Sequence, residues 1–163
     1  MSRTTLSFVL ILALLSTSVV FGAGSAKKET PKANHETHYN AGVAKMEKGD
    51  WDGAAAKFAA ALEAKEDFAE AHNNYAYVLR KQGADNFAKA LEHYNRALEL
   101  DPKLAQAYHY RGVLHVLAGD EASAKADHAS LLKLDRELAD ELMAVLASGE
   151  EPEGHGGASG KWK

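Results

Sequence analysis

Rows of small residues recur along this chain at spacings that fix what it can fold into. Gly42, Ala76 and Gly112 stand 34 and 36 residues apart, and so do Gly49, Gly83 and Gly119. Three further rows reverse the order, 36 and then 34: Ala54, Ala90 and Ala124; Phe58, Tyr94 and His128; Ala61, Ala97 and Leu131. The reversal locates one two-residue insertion between Gly83 and Ala90, most simply Ala84 and Asp85, in a turn, where added length costs least. Self-similarity at this period marks a stacked array of one supersecondary unit. The copies fall at residues 35–68, 69–104 and 105–138.

Each copy reads as two helices. In the second, Tyr75, Val78 and Leu79, then Phe87, Leu91, Tyr94 and Leu98, lie three and four residues apart, which gives each helix one apolar stripe. The glycine row ends the first helix of each copy. Asp50, Asn86 and Asp120 open the second helix as capping residues, and Asn34 opens the first helix of all. Asp101 before Pro102 reads as a cap with proline at the first helical position. The rows at Gly42, Ala76 and Gly112 predict a close crossing of the two helices within each copy. Two helices cannot bury such stripes alone, so each copy needs its neighbour. Residues 135–148 carry Leu138, Leu142, Val145 and Leu146 on one side and charges on the other, and so predict a capping helix.

The residues AYHYRG (Ala107 to Gly112), LELDP (Leu98 to Pro102), GDW (Gly49 to Trp51) and the row Ala90, Tyr94, Ala97 resemble the tetratricopeptide repeat. The resemblance departs from the family pattern at His38, His72 and His128, where aromatic residues are usual, and only the second copy ends in Asp-Pro. It implies an all-α, right-handed solenoid of three helix-turn-helix units plus a C-terminal capping helix, and a role in binding protein. In this family the concave face is built by first-helix residues. Carried over, the candidate binding set is Tyr39, Asn40, Asn73, Asn74, Tyr77, Arg80, His109 and Tyr110. Asn40 and Asn74 occupy equivalent positions, as in members whose asparagine amides hold the backbone of an extended peptide. The clamp for a terminal carboxylate used by chaperone-binding members would need basic and amide residues at Tyr39, Val43, Asn74, Gln106 and Tyr110, and only Asn74 fits.

The ends carry other information. Residues 1–26 have one arginine, an apolar run and a small-residue exit, the pattern of a secretory signal peptide, too short to be a spanning anchor. With no cysteine there is no lipidated thiol, and the expected location is periplasmic or secreted, without stable membrane insertion after cleavage. Residues 27–34 read as a polar linker, and residues 149–163 as a disordered, glycine-rich tail.

A formal net charge of −4, with no clustered basic face, gives no reason to expect nucleic acid. Of eight histidines, His38, His72, His115 and His128 fall in rows that pack between helices, so burial with a hydrogen bond is expected rather than a metal site. No catalytic set appears: Ser130 to Lys133 matches S-x-x-K without its companion motifs. No cofactor is implied. The expected function is a non-enzymatic adaptor or scaffold in the bacterial cell envelope that binds a peptide segment or protein surface. The alternatives are self-association as an architectural repeat protein and a histidine-based metal response.

Overall fold

The computed structural model describes residues 34–150; the predicted signal, nearly all of the linker and the tail from residue 151 lie outside them. Seven α-helices follow in order: α1 (His35–Met46), α2 (Trp51–Ala64), α3 (Ala69–Lys81), α4 (Phe87–Leu100), α5 (Ala105–Leu117), α6 (Glu121–Leu134) and α7 (Arg136–Ser148). Among the described residues there is no strand, and no helix is long and apolar enough to cross a membrane. The helices pair as α1–α2, α3–α4 and α5–α6, an all-α solenoid.

The core is shared between neighbours. Its first cluster joins Met46 of α1, Ala54 and Phe58 of α2, and Tyr77 and Val78 of α3. The second joins Ala76 and Leu79 of α3, Ala90 and Tyr94 of α4, and Leu114 of α5. The third joins Val113 of α5, Leu131 of α6, and Ala139, Leu142 and Val145 of α7. Each of these three clusters therefore takes both helices of one copy and the helix that follows them, and a smaller fourth, Ala97, Leu98 and Ala107, joins α4 to α5. In the third cluster α7 occupies the place of that following helix, which is how it caps the stack.

The helix boundaries follow local chemistry, with two corrections. Asn34, Asp50 and Asp120 accept from the amides of Thr37, Gly53 and Ser123, as their side chains predict. Gly49 and Gly119 end their helices at positive φ, 69° and 79°, a region open to glycine without the cost of a Cβ. Asn86 does not cap. The inserted Ala84 and Asp85 form a 3-10 turn with it (Ala84–Asn86), and the Asn86 amide donates to the Gly83 carbonyl. The chain thus enters α4 already helical at Asn86, with φ −98° and ψ −1°, not in the extended conformation a cap requires. Asp101 and Pro102 do not open a helix either. Asp101 ends α4, its carboxylate accepts from the Lys103 amide, and α5 begins only at Ala105.

The glycine row needs a third correction. A Cβ on Gly42 would meet the Phe58 ring at 2.7 Å, so α1 and α2 do cross tightly there. A Cβ on Gly112 would instead meet the flexible end of Leu142 on the capping helix. One polar tie also lay beyond the spacing argument. Arg111 on α5 donates to both carboxylate oxygens of the buried Asp127 on α6, at 3.0 and 2.6 Å, and to Asn95 Oδ1 on α4 at 2.7 Å. The fork fixes Arg111 within the third copy, and its bond to Asn95 ties that copy to the second.

Two substitutions test this packing. Gly42→Ala drives a methyl into an aromatic ring with no room to turn and is expected to cost about 1 to 3 kcal/mol. Gly112→Ala meets a leucine end that can rotate, and gains helix propensity of up to about 1 kcal/mol, so its net effect is near zero. Urea denaturation of the two variants checks the ranking; an equal loss in both would contradict it.

Candidate functional site

The predicted binding residues come from the first helices of the three copies, which the shared core sets side by side. Tyr39 and Asn40 lie on α1, Asn73, Asn74, Tyr77 and Arg80 on α3, and His109 and Tyr110 on α5. Their exposure is not uniform. Asn40 is exposed, Tyr39 and Tyr110 are half-buried, and Asn73, Asn74, Tyr77, Arg80 and His109 are buried.

Polar groups this deep must find partners, and here they form a relay. The Asn73 amide nitrogen donates to Asn74 Oδ1 at 3.1 Å, and the Asn74 amide nitrogen donates to the Tyr39 hydroxyl at 3.0 Å. The second bond crosses from α3 to α1 and so joins the second copy to the first. Burial pushes the Tyr39 hydroxyl up to about 12, helped by the negative charge of Glu70 and opposed by the Asn74 bond, so the hydroxyl stays protonated. At the other end of the relay, Asn73 Oδ1 is buried with no partner among the described residues. An acceptor left in that state costs about 1 to 3 kcal/mol.

Aromatic rings continue the row. Tyr77 lies 6.1 Å from Trp51 and 5.1 Å from Tyr110, whose ring is 5.2 Å from His109. The Arg80 guanidinium sits 5.1 Å from the centre of the Tyr77 ring, a cation–π contact. Its charge also opposes the burial that raises the Tyr94 hydroxyl above its usual range. His109 approaches Glu141 of α7 at 3.5 Å. Tyr77 is therefore a core residue as well as a member of the row, since it is fully buried within the first core cluster.

Sequence reasoning missed several participants. Trp51 and Glu141 lie outside the first helices where the family pattern directs attention. His93 was also missed, although it meets His72 at 2.8 Å between ring nitrogens. Of the four histidines expected to be buried, only His72 is; His38, His115 and His128 are half-buried because their rings reach the edge of the stack. No group of three or more metal-ligating side chains occurs among the described residues.

The relay is open to a double-mutant cycle. Asn74→Ala and Tyr39→Phe each lose the bridge, so together they should cost about 1 kcal/mol less than the sum of the single changes. Strict additivity in chemical denaturation would remove the bridge from the fold.

Comparison with known proteins agrees with this architecture. The tetratricopeptide-repeat family model matches residues 39–105. Over 91 residues the chain is 29% identical to the photosystem I assembly protein Ycf3 of Cyanophora paradoxa, an alignment that takes in 55% of this chain and 53% of that protein. The chain thus spans about half the length of this curated relative. Among solved structures, the first repeat domain of Spaghetti (RPAP3), bound to the HSP90 peptide SRMEEVD, superposes with a TM-score of 0.64 over 71% of this chain and 92% of that one. The repeat domain of Arabidopsis OM64 gives 0.65 over 71% and 96%, and the TPR2B domain of yeast Sti1, in its Hsp70 complex, gives 0.59 over 71% and 98%. All three are 21% identical to this chain, a level at which the likeness speaks for the fold. With residues 39–105 matched and the helical stacking carried on through α7, the chain is similar to the tetratricopeptide-repeat family and has its fold.

Proposed function

We propose that this protein is an exported, non-enzymatic adaptor that holds an extended segment of another protein along the row of first helices α1, α3 and α5. The observation that carries the reading is the row of first-helix side chains that the stack sets side by side, with Asn40 exposed, Tyr39 and Tyr110 half-buried, and the Asn73–Asn74–Tyr39 relay fixing Tyr39 from behind. The Asn40 amide can pair with the backbone of a bound segment whatever its side chains, and the Tyr39 and Tyr110 rings add rigid apolar area with polar tips. Two of the structural relatives are complexes, one with an HSP90 peptide and one with Hsp70. Those ligands are not carried over, because Tyr39, Val43, Gln106 and Tyr110 do not supply a carboxylate clamp. The envelope location rests on the signal-like residues 1–26 and the absence of cysteine.

Self-association is the second reading. It draws on Leu132 and Met143, which expose 47% and 46% of their surface on α6 and α7.

Site-specific photocrosslinking separates the two. A crosslinking residue in place of the exposed Asn40 is expected to capture a partner protein in the host, while the same residue in place of Glu92, exposed on α4, captures none. Asn74→Ala, which unfastens the relay that positions Tyr39, should weaken capture about five- to tenfold, the equivalent of roughly 1 to 1.4 kcal/mol. Capture of only the protein itself, equal from both positions, would move the assignment to self-association.

A further inference from the structure

The second copy holds a pair of histidines that the adaptor reading does not use, one of which also bonds the loop at the end of the first copy. His72 on α3 places Nδ1 2.8 Å from Nδ1 of His93 on α4, with the rings 5.1 Å apart and tilted by 31°. Its other nitrogen, Nε2, lies 2.9 Å from the carbonyl oxygen of Glu66, in the loop that leads from α2 into α3. A carbonyl can only accept, so His72 Nε2 carries the hydrogen and donates. A neutral His72 then has a bare Nδ1, which must accept from a hydrogen on His93 Nδ1. The geometry leaves one arrangement of tautomers for the neutral pair.

That arrangement has a proton limit. A first added proton goes to the outer Nε2 of His93 and leaves the bridge intact, because an imidazolium still donates through Nδ1. A second would have to enter the bridge, where two N–H groups cannot face each other at 2.8 Å. We infer that the His72–His93 pair is an acid-released latch, which ties α3, and through the His72–Glu66 bond the loop of residues 65–68, to α4 while the bridge holds one proton, and which parts from α4 when the bridge must hold two, His72 keeping its bond to Glu66.

The charged surroundings are mixed and do not compensate. From the loop, Glu66 and Asp67 favour protonation of His72; from α4, Arg96 opposes it, and Lys89 opposes protonation of His93. From α3, Tyr75 packs its ring 4.7 Å from His93 and accepts a hydrogen bond from Lys89 at 3.2 Å. Arg96 also binds Asp67 at 3.0 Å, an exposed pair that guides the same loop but is weakened by salt.

Burial holds both rings below their ordinary value of 6.5, His93 at about 4. The unfolded chain therefore takes protons first: the latch's contribution is whole above about pH 6.5 and falls as the pH drops toward 4.

Histidine side-chain nitrogen NMR tests the inference. At pH 7.5 the two rings should show opposite tautomers, hydrogen on Nε2 in His72 and on Nδ1 in His93. On acidification the amide signals of residues 65–68 should stay in place through the first protonation and move with the second. His93→Asn keeps a donor near the Nδ1 position that does not titrate. In that variant the rise in the unfolding constant between pH 7 and 4.5 should be smaller than in the parent by about tenfold, an allowance made for the partly exposed ring. The same tautomer on both rings at pH 7.5, or loop signals that move with the first proton, would overturn the latch. An unchanged acid sensitivity in a folded His93→Asn variant would overturn it as well.

Discussion

The fold depends on one constraint: no copy of the repeat can bury its own apolar stripes. Phe58 and Met46 of the first copy are closed over by Tyr77 and Val78 of the second, and Tyr94 and Ala90 of the second by Leu114 of the third. The series would leave Val113 and Leu131 open, and α7 completes it with Ala139, Leu142 and Val145. Stability is then a sum of units and interfaces between them, so the joints between copies matter as much as the copies. The same stacking brings α1, α3 and α5 side by side, and a surface assembled from three separate copies exists only while both joints hold.

The polar groups of that surface inherit the constraint. Asn73 and Asn74 are as buried as core leucines, yet a leucine pair could not connect α3 to the Tyr39 hydroxyl on α1. Buried amides specify geometry at some expense in stability, since each must be partnered in one arrangement. The relay partners every polar atom of Asn74 but leaves Asn73 Oδ1 without a donor among the described residues. Packing alone gives no reason to keep that group where it is.

Much of the fold was legible because repetition is itself a measurement. A glycine at one helix end is weak evidence, but Gly49, Gly83 and Gly119 in phase with Ala54, Ala90 and Ala124 fixed the register and even placed the insertion, which forms the 3-10 turn Ala84–Asn86. The errors arose where the copies differ. Asn86 resembles Asp50 in sequence, but the inserted residues deliver it already helical, and the equivalence of position did not carry an equivalence of conformation. The side-chain ties between helices were not legible at all. Arg111 with Asp127 and Asn95, and His72 with His93, unite residues 16 and 21 positions apart whose pairing depends on side-chain direction rather than on period.

Those ties differ in kind, and the difference bears on how the solenoid deforms. The joint between the second and third copies carries the bond from Arg111 to Asn95, made by a guanidinium that is itself held by a fork onto the buried Asp127 of its own copy. The joint between the first and second copies has neutral bonds, Asn74 to Tyr39 and His72 to Glu66, and one exposed ion pair, Arg96 with Asp67. Screening weakens the ion pair, and acid reaches the histidines. Of the two joints, the first is therefore the one that solution conditions can loosen, and loosening it would carry Tyr39 and Asn40 away from Asn73 and Asn74 while the second and third copies stay locked. A surface built across both joints is then adjustable at one end and fixed at the other.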